Sequence, residues 1–144
     1  VRYHVHITKP DQVKTYHDQV GYWLWEPATQ TVIHTLTIPR GQALMAGGTV
    51  APDAKEFELI ARQGDPYYGI NSNPFLEHAF KTVEFRIKVR INDDGTWGYS
   101  EDTVMQIQGL SEPFHHTDDN ILRKVGEPTP NPLALAAQTA GTSI

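Results

Sequence analysis

Apolar and polar positions alternate along most of this chain. Tyr3, Val5 and Ile7 stand against Arg2, His4, His6 and Thr8. Val83, Phe85, Ile87, Val89 and Ile91 stand against Thr82, Glu84, Arg86, Lys88 and Arg90. A period of two marks a strand with one buried face. Together with the aromatic content of 16–26 and the small apolar, glycine-containing run 42–50, this pattern predicts strands over residues 1–8, 16–26, 31–38, 42–50, 56–62, 81–91 and 96–107, with a last strand or strand-like element over 115–125. Short polar turns separate them, such as Pro39-Arg40-Gly41 and Asn92-Asp93-Asp94-Gly95, the latter placing glycine where positive φ is needed. Residues 63–75 hold two prolines and two glycines and are expected to form a long irregular loop, whose Tyr67, Tyr68 and Phe75 would cap a cavity or anchor the loop. No helical period stands out. Sequential strands joined by tight turns predict an all-β, antiparallel up-and-down β-barrel, with a Greek-key sandwich as the alternative. The barrel domain is expected over 1–125. From 126 to 144 the composition turns to Pro, Ala, Thr and Gly, and a disordered tail is expected there. Because the alternation is already under way at Val1, a further segment is expected upstream of it.

The segment 16–26 departs from simple alternation. His17, Gln19, Gly21, Trp23 and Trp25 project to one face, and Tyr16, Asp18, Val20, Tyr22 and Leu24 to the other. Both faces mix polar and apolar groups, as the lined interior of a barrel requires. Gly21 is the natural point for a bend or a close approach. Across 31–38, Val32, His34, Leu36 and Ile38 share a face. Trp23, His17 and His34 are therefore candidates for lining a ligand pocket, and Phe114, beside the histidine pair at 115–116, is a further candidate.

Composition narrows the function classes. The 144 residues carry a formal charge of −5 without a basic cluster, which argues against a nucleic-acid partner. No apolar run approaches the roughly 18 residues of a membrane-spanning helix. The absence of cysteine removes disulfides, thiolate metal sites and cysteine nucleophiles, and a cytoplasmic location is expected.

The chemistry that remains rests on seven histidines. His4 and His6 share a strand face and, with His17 or His34 across the sheet, could form a zinc or iron site, although no carboxylate stands at an obvious third position. His34, set among Val32, Leu36 and Ile38, reads as a hydrogen-bonded core histidine. His115 and His116 are adjacent, so a strand would turn only one of them toward a cavity. His116 shares its parity with Phe114 and Leu122, the drier side. No nucleophile elbow and no phosphate-cradling loop is present, and Asp93 and Asp94 are turn residues.

His17-Asp18-Gln19-Val20-Gly21-Tyr22-Trp23 resembles the His-x-Glu-x-Gly-Tyr-Trp signature of the nitrobindin-like haem-binding β-barrel family, which is similar in shape to fatty-acid-binding proteins and lipocalins. The run from Phe80 to Arg90 resembles that family's long penultimate hairpin strand. Met105, Gly109, Pro113 to His116 and Leu122 to Val125 resemble its C-terminal segment. Gln19 stands in place of the motif's glutamate, and the family's opening Gly-x-Trp-x-Gly-x-Gly strand is not found, so the resemblance implies about ten strands in the complete protein with the opening strand upstream of Val1. The resemblance implies haem b in the barrel mouth, with His116 as the preferred axial ligand of the iron and His115 as the alternative. It further implies nitric oxide binding and peroxynitrite isomerisation at the iron. A haem-free carrier of fatty acid or another small hydrophobic ligand is the competing expectation.

Overall fold

The computed structural model describes residues 1–127 and 129–139. Among these residues nine strands form one antiparallel sheet: β1 (Arg2–Thr8), β2 (Thr15–Glu26), β3 (Thr31–Ile38), β4 (Gln42–Thr49), β5 (Glu56–Arg62), β6 (Ile70–Ser72), β7 (Phe80–Ile91), β8 (Trp97–Ile107) and β9 (Phe114–Leu122). Helix α1 (Pro74–Ala79) precedes β7, and α2 (Pro132–Thr139) follows the sheet. Neighbours run β1-β2-β3-β4-β5-β7-β8-β9, and β6 is added on β4. The sheet is an up-and-down meander curled about one interior, as in a β-barrel, and not a Greek key. Among the described residues the ladder's two ends, β1 and β9, do not pair with each other.

Alternation places the core. Leu36 and Leu44, Leu59 and Ala61, and Phe85, Ile87 and Val89 all bury their side chains inside the curl. The opposite face of β5 and β7 carries exposed ion pairs, Lys88 to Glu56 at 2.8 Å and Arg62 to Glu84 at 2.9 Å, which contribute little to stability and keep that face wet. Gly21 and Gly95 meet the needs read from the sequence. A Cβ at Gly21 would overlap the Thr35 carbonyl of β3, and Gly95 adopts a φ of +79° in the β7–β8 turn.

Four local expectations change. A bulge between Thr82 and Glu84 shifts the phase of β7, so Thr82 points inward and is 1% exposed, whereas Val83 leaves the apolar face. Trp25, grouped with the inward side chains of β2, is 43% exposed near the strand's end. The loop 63–75 contains β6 and leads into α1, where a helix was not expected. Asn73 caps that helix by accepting from the Leu76 amide at 3.0 Å, with Pro74 in the first turn where its missing N–H costs nothing. Finally, α2 occupies part of the segment 126–144, while Pro128 and residues 140–144 of that expected tail lie outside the described residues.

Candidate functional site

One end of the interior is filled by rings. Trp23 of β2 stacks on His34 of β3, with centroids 4.1 Å apart and planes 14° off parallel. Trp97 meets Trp23 edge-on at 5.2 Å, and Phe85 lies 6.1 Å from His34. His34 is 1% exposed, and burial lowers its pKa to about 4, so it is neutral at physiological pH. Its Nε2 lies 2.7 Å from the Tyr3 hydroxyl. That hydroxyl gives its one proton to the Thr35 carbonyl at 3.0 Å and accepts from the Gln19 amide at 3.3 Å. Nε2 of His34 is therefore the protonated nitrogen. Nδ1 of His34 and the Trp97 indole nitrogen are buried without partners among the described residues.

The other end is a cavity of about 690 Å³. Val5 and Ile7 of β1, Leu36 and Ile38 of β3 and Leu44 of β4 give it apolar walls, with Phe85 as a floor shared with the ring cluster. Phe75 and Leu76 of α1 reach it from above. Asn73 fixes them there, since its side-chain amide also donates to the Arg40 carbonyl at 2.6 Å and so ties α1 to the β3–β4 turn. Arg40 lines the same mouth. Of the loop aromatics, Tyr67 is exposed and the Tyr68 ring covers Gly47, so Phe75 is the one that reaches the cavity.

The polar part of the lining comes from β2, β8 and β9. His17 donates from Nε2 to Gln19 Oε1 at 2.8 Å, which makes Gln19 the link between the cavity and the Tyr3–His34 pair. Glu101 of β8 sits directly across the ladder from Asp118 of β9, and both line the cavity. Burial, with a smaller contribution from the Asp118 charge, raises the Glu101 carboxyl to about 7. Asp118 is held by Asn120, which donates at 2.7 Å, and by the Tyr99 hydroxyl at 3.3 Å. Burial together with these acidic neighbours pushes Tyr99 up to about 12.

Two residues further along the same ladder, His116 faces Thr103 and lines the cavity. Its imidazole has no hydrogen-bond partner among the described residues. His115 points the other way and holds Asp102 at 2.8 Å on the outer surface. The structure thus brings His17 and His116 to the cavity, whereas Trp23 and His34 belong to the ring cluster beneath it. Phe114, on the strand parity of His116 but at the start of β9, is 43% exposed and does not line the cavity. Sequence reasoning missed Glu101, Asp118 and Arg40. Glu101 shares the inward row of β8 with Tyr99, Thr103 and Met105, a mixed polar and apolar row that alternation does not single out, and Arg40 belongs to a turn whose fold back over the cavity depends on Asn73, more than thirty residues away.

None of the curated proteins compared with the chain matches it. The model of the THAP4-like, heme-binding beta-barrel domain matches residues 1–124, which spans every strand and the whole cavity, and the chain belongs to that family.

Proposed function

We propose that this cavity holds haem, and that the His116 imidazole would hold its iron. The observation that carries the proposal is the state of the histidines. His17 has Nε2 committed to Gln19, His34 is buried against Tyr3, and His115 is paired with Asp102 outside. His116 alone presents an uncommitted imidazole to the cavity among the described residues. The rest of the donor set fits the group. Apolar walls suit a flat macrocycle, the volume lies within the range of cofactor sites, and Arg40 at the mouth is placed to pair with a carboxylate side chain of the porphyrin.

Bound there, haem would supply an iron with one position open to small ligands such as nitric oxide, and isomerisation of peroxynitrite is the activity proposed for it. This chain's own residues do four things. His116 holds the group to β9, and Val5, Ile7, Leu36 and Leu44 limit water. Phe75 and Leu76 cover the mouth. Glu101, with a pKa of about 7, holds or releases a proton in the cavity near neutral pH.

Hemin titration followed by absorption tests the assignment. One equivalent per chain should give a saturating Soret band. His116→Ala should abolish it or weaken affinity by at least about a hundredfold, a loss of roughly 2.7 kcal/mol. His115→Ala should leave it unchanged. Loss in His115→Ala alone would reverse the assignment. An apolar cavity with Arg40 at its mouth also matches a fatty acid, so a colourless protein that takes up fatty acid with His116→Ala unaffected would make the carrier reading the correct one.

A further inference from the structure

The outer face of β1 and β2 carries a second group of convergent ligands, unrelated to the cavity. His4 and His6 are two apart on β1 and so share a face. Asp18 is the direct ladder partner of His6, and its side chain therefore stands on that same outer face, between His17 and Gln19, which turn inward. One carboxylate oxygen, Oδ2, lies 3.2 Å from His4 Nε2 and 2.9 Å from His6 Nδ1. The three ligand atoms all fall within 4.8 Å of one another. The metal partners weighed from the sequence, His17 and His34, are on the wrong side of the sheet. The missing carboxylate is Asp18, found only once the β1–β2 register is known.

We propose that His4, His6 and Asp18 form a binding site for a divalent transition-metal cation of the zinc class. A metal at about 2.0–2.2 Å from two nitrogens and one oxygen in tetrahedral geometry needs ligand atoms roughly 3.3 Å apart, close to the two distances observed. Two imidazoles and one carboxylate select zinc, nickel, cobalt or copper over calcium and magnesium, which prefer all-oxygen shells. The carboxylate leaves one negative charge to offset part of the cation's two. All three side chains are at least partly open to solvent, so the cation can enter, and water or an external ligand completes the shell. Because the ligands come from both strands, the ion fastens β1 to β2, whose inner faces bear Val5, Ile7, His17 and Gln19 of the cavity wall.

Zinc titration of the haem-free protein by calorimetry tests this, together with cobalt titration followed by visible absorption. One zinc per chain is expected, with cobalt bands of a four- or five-coordinate nitrogen–oxygen site. His6→Ala and Asp18→Asn should each weaken binding by at least about tenfold. His78→Ala, an exposed histidine on α1, should leave it unchanged. Zinc should also raise the melting temperature of the wild type and not that of either variant, with far-ultraviolet circular dichroism confirming that the variants fold. Should a variant fail to fold, His4→Gln at its exposed position replaces it. The proposal is overturned if the wild type shows no saturable one-to-one binding. It is equally overturned if zinc affinity is the same in His6→Ala and Asp18→Asn as in the wild type, which would place the cation elsewhere.

Discussion

The two ends of the barrel interior are built from the same strands and end up opposite in character. β2 sends Trp23 into one end and His17 with Gln19 into the other. β3 sends His34 one way and Leu36 with Ile38 the other, and β8 divides between Trp97 and Met105. Where Trp23, His34, Phe85 and Trp97 face one another the rings fill the interior, and the imidazole among them is kept neutral. Where leucine, isoleucine, threonine and methionine face one another, space remains, and a carboxyl and an imidazole border it. Side-chain size at alternating positions, rather than backbone path, decides which end is core and which is site. Phe85 and Gly21 mark the boundary between the two.

The most damaging way to break that division is at Gly21, set between cavity-lining Gln19 and ring-cluster Trp23. Its Cβ would overlap the Thr35 carbonyl and crowd the Tyr3 ring. Gly21→Ala should therefore separate β2 from β3 and cost more than about 4 kcal/mol by chemical denaturation. Phe85→Ala should come next, at about 3–4 kcal/mol, because a side chain 2% exposed leaves a void joining both ends. A probe dye or fatty acid that binds this variant no better than the wild type would show that the two ends are not separated by that ring.

Smaller and pH-dependent is Glu101→Gln. A carboxyl raised from 4.5 to about 7 is neutral in the folded protein at acid pH and withdraws stability as pH rises from about 4.5 through about 7. The full shift corresponds to roughly 3 kcal/mol, and partial exposure reduces this to about 1–2. Glu101→Gln should thus be more stable than the wild type at pH 8 and equal to it near pH 4, as urea midpoints would reveal. His34 has the opposite sign: it withdraws stability as pH falls from about 6.5 to about 4, and that slope should persist in the variant. Phe75→Ala should change stability least, by under about 1 kcal/mol, since the ring is two-thirds exposed. Faster hemin loss to a scavenger, without a change in stability, would identify it as a cover for the mouth.

The filled end was far more legible in the sequence than the open one. Alternation over Thr31–Ile38 identified Val32, His34, Leu36 and Ile38 as one inward row, and the structure keeps that row. Gly21 announced a close approach. Apolar periodicity is a local property, so it survives without knowledge of partners. The cavity depends on nonlocal events. The bulge at Val83 moves Thr82 inside to accept from Gln42 at 2.8 Å, and no residue in the run 80–91 advertises it. Helix α1 is too short to show a period, and its position over the mouth is set by Asn73 bonding to Arg40. The likeness of the segment 17–23 to a haem-binding barrel carried the family, whereas the lining carboxyls Glu101 and Asp118 become visible only when β8 and β9 are laid side by side.

The bare Nδ1 of His34 makes this ring a natural spectroscopic gauge. With Nε2 protonated against Tyr3 and Nδ1 unprotonated and without a partner among the described residues, the two ring nitrogens are as different as one imidazole allows: one pyrrole-like, one pyridine-like. Nitrogen-15 spectra of histidine-labelled protein would resolve that pair, while a solvent-exposed ring such as His78 interconverts tautomers rapidly and gives averaged signals. The split persists for as long as Trp23 and Trp97 keep water out, and coalesces when they part. A single labelled residue would then report whether the closed end of the barrel stays closed while the open end fills.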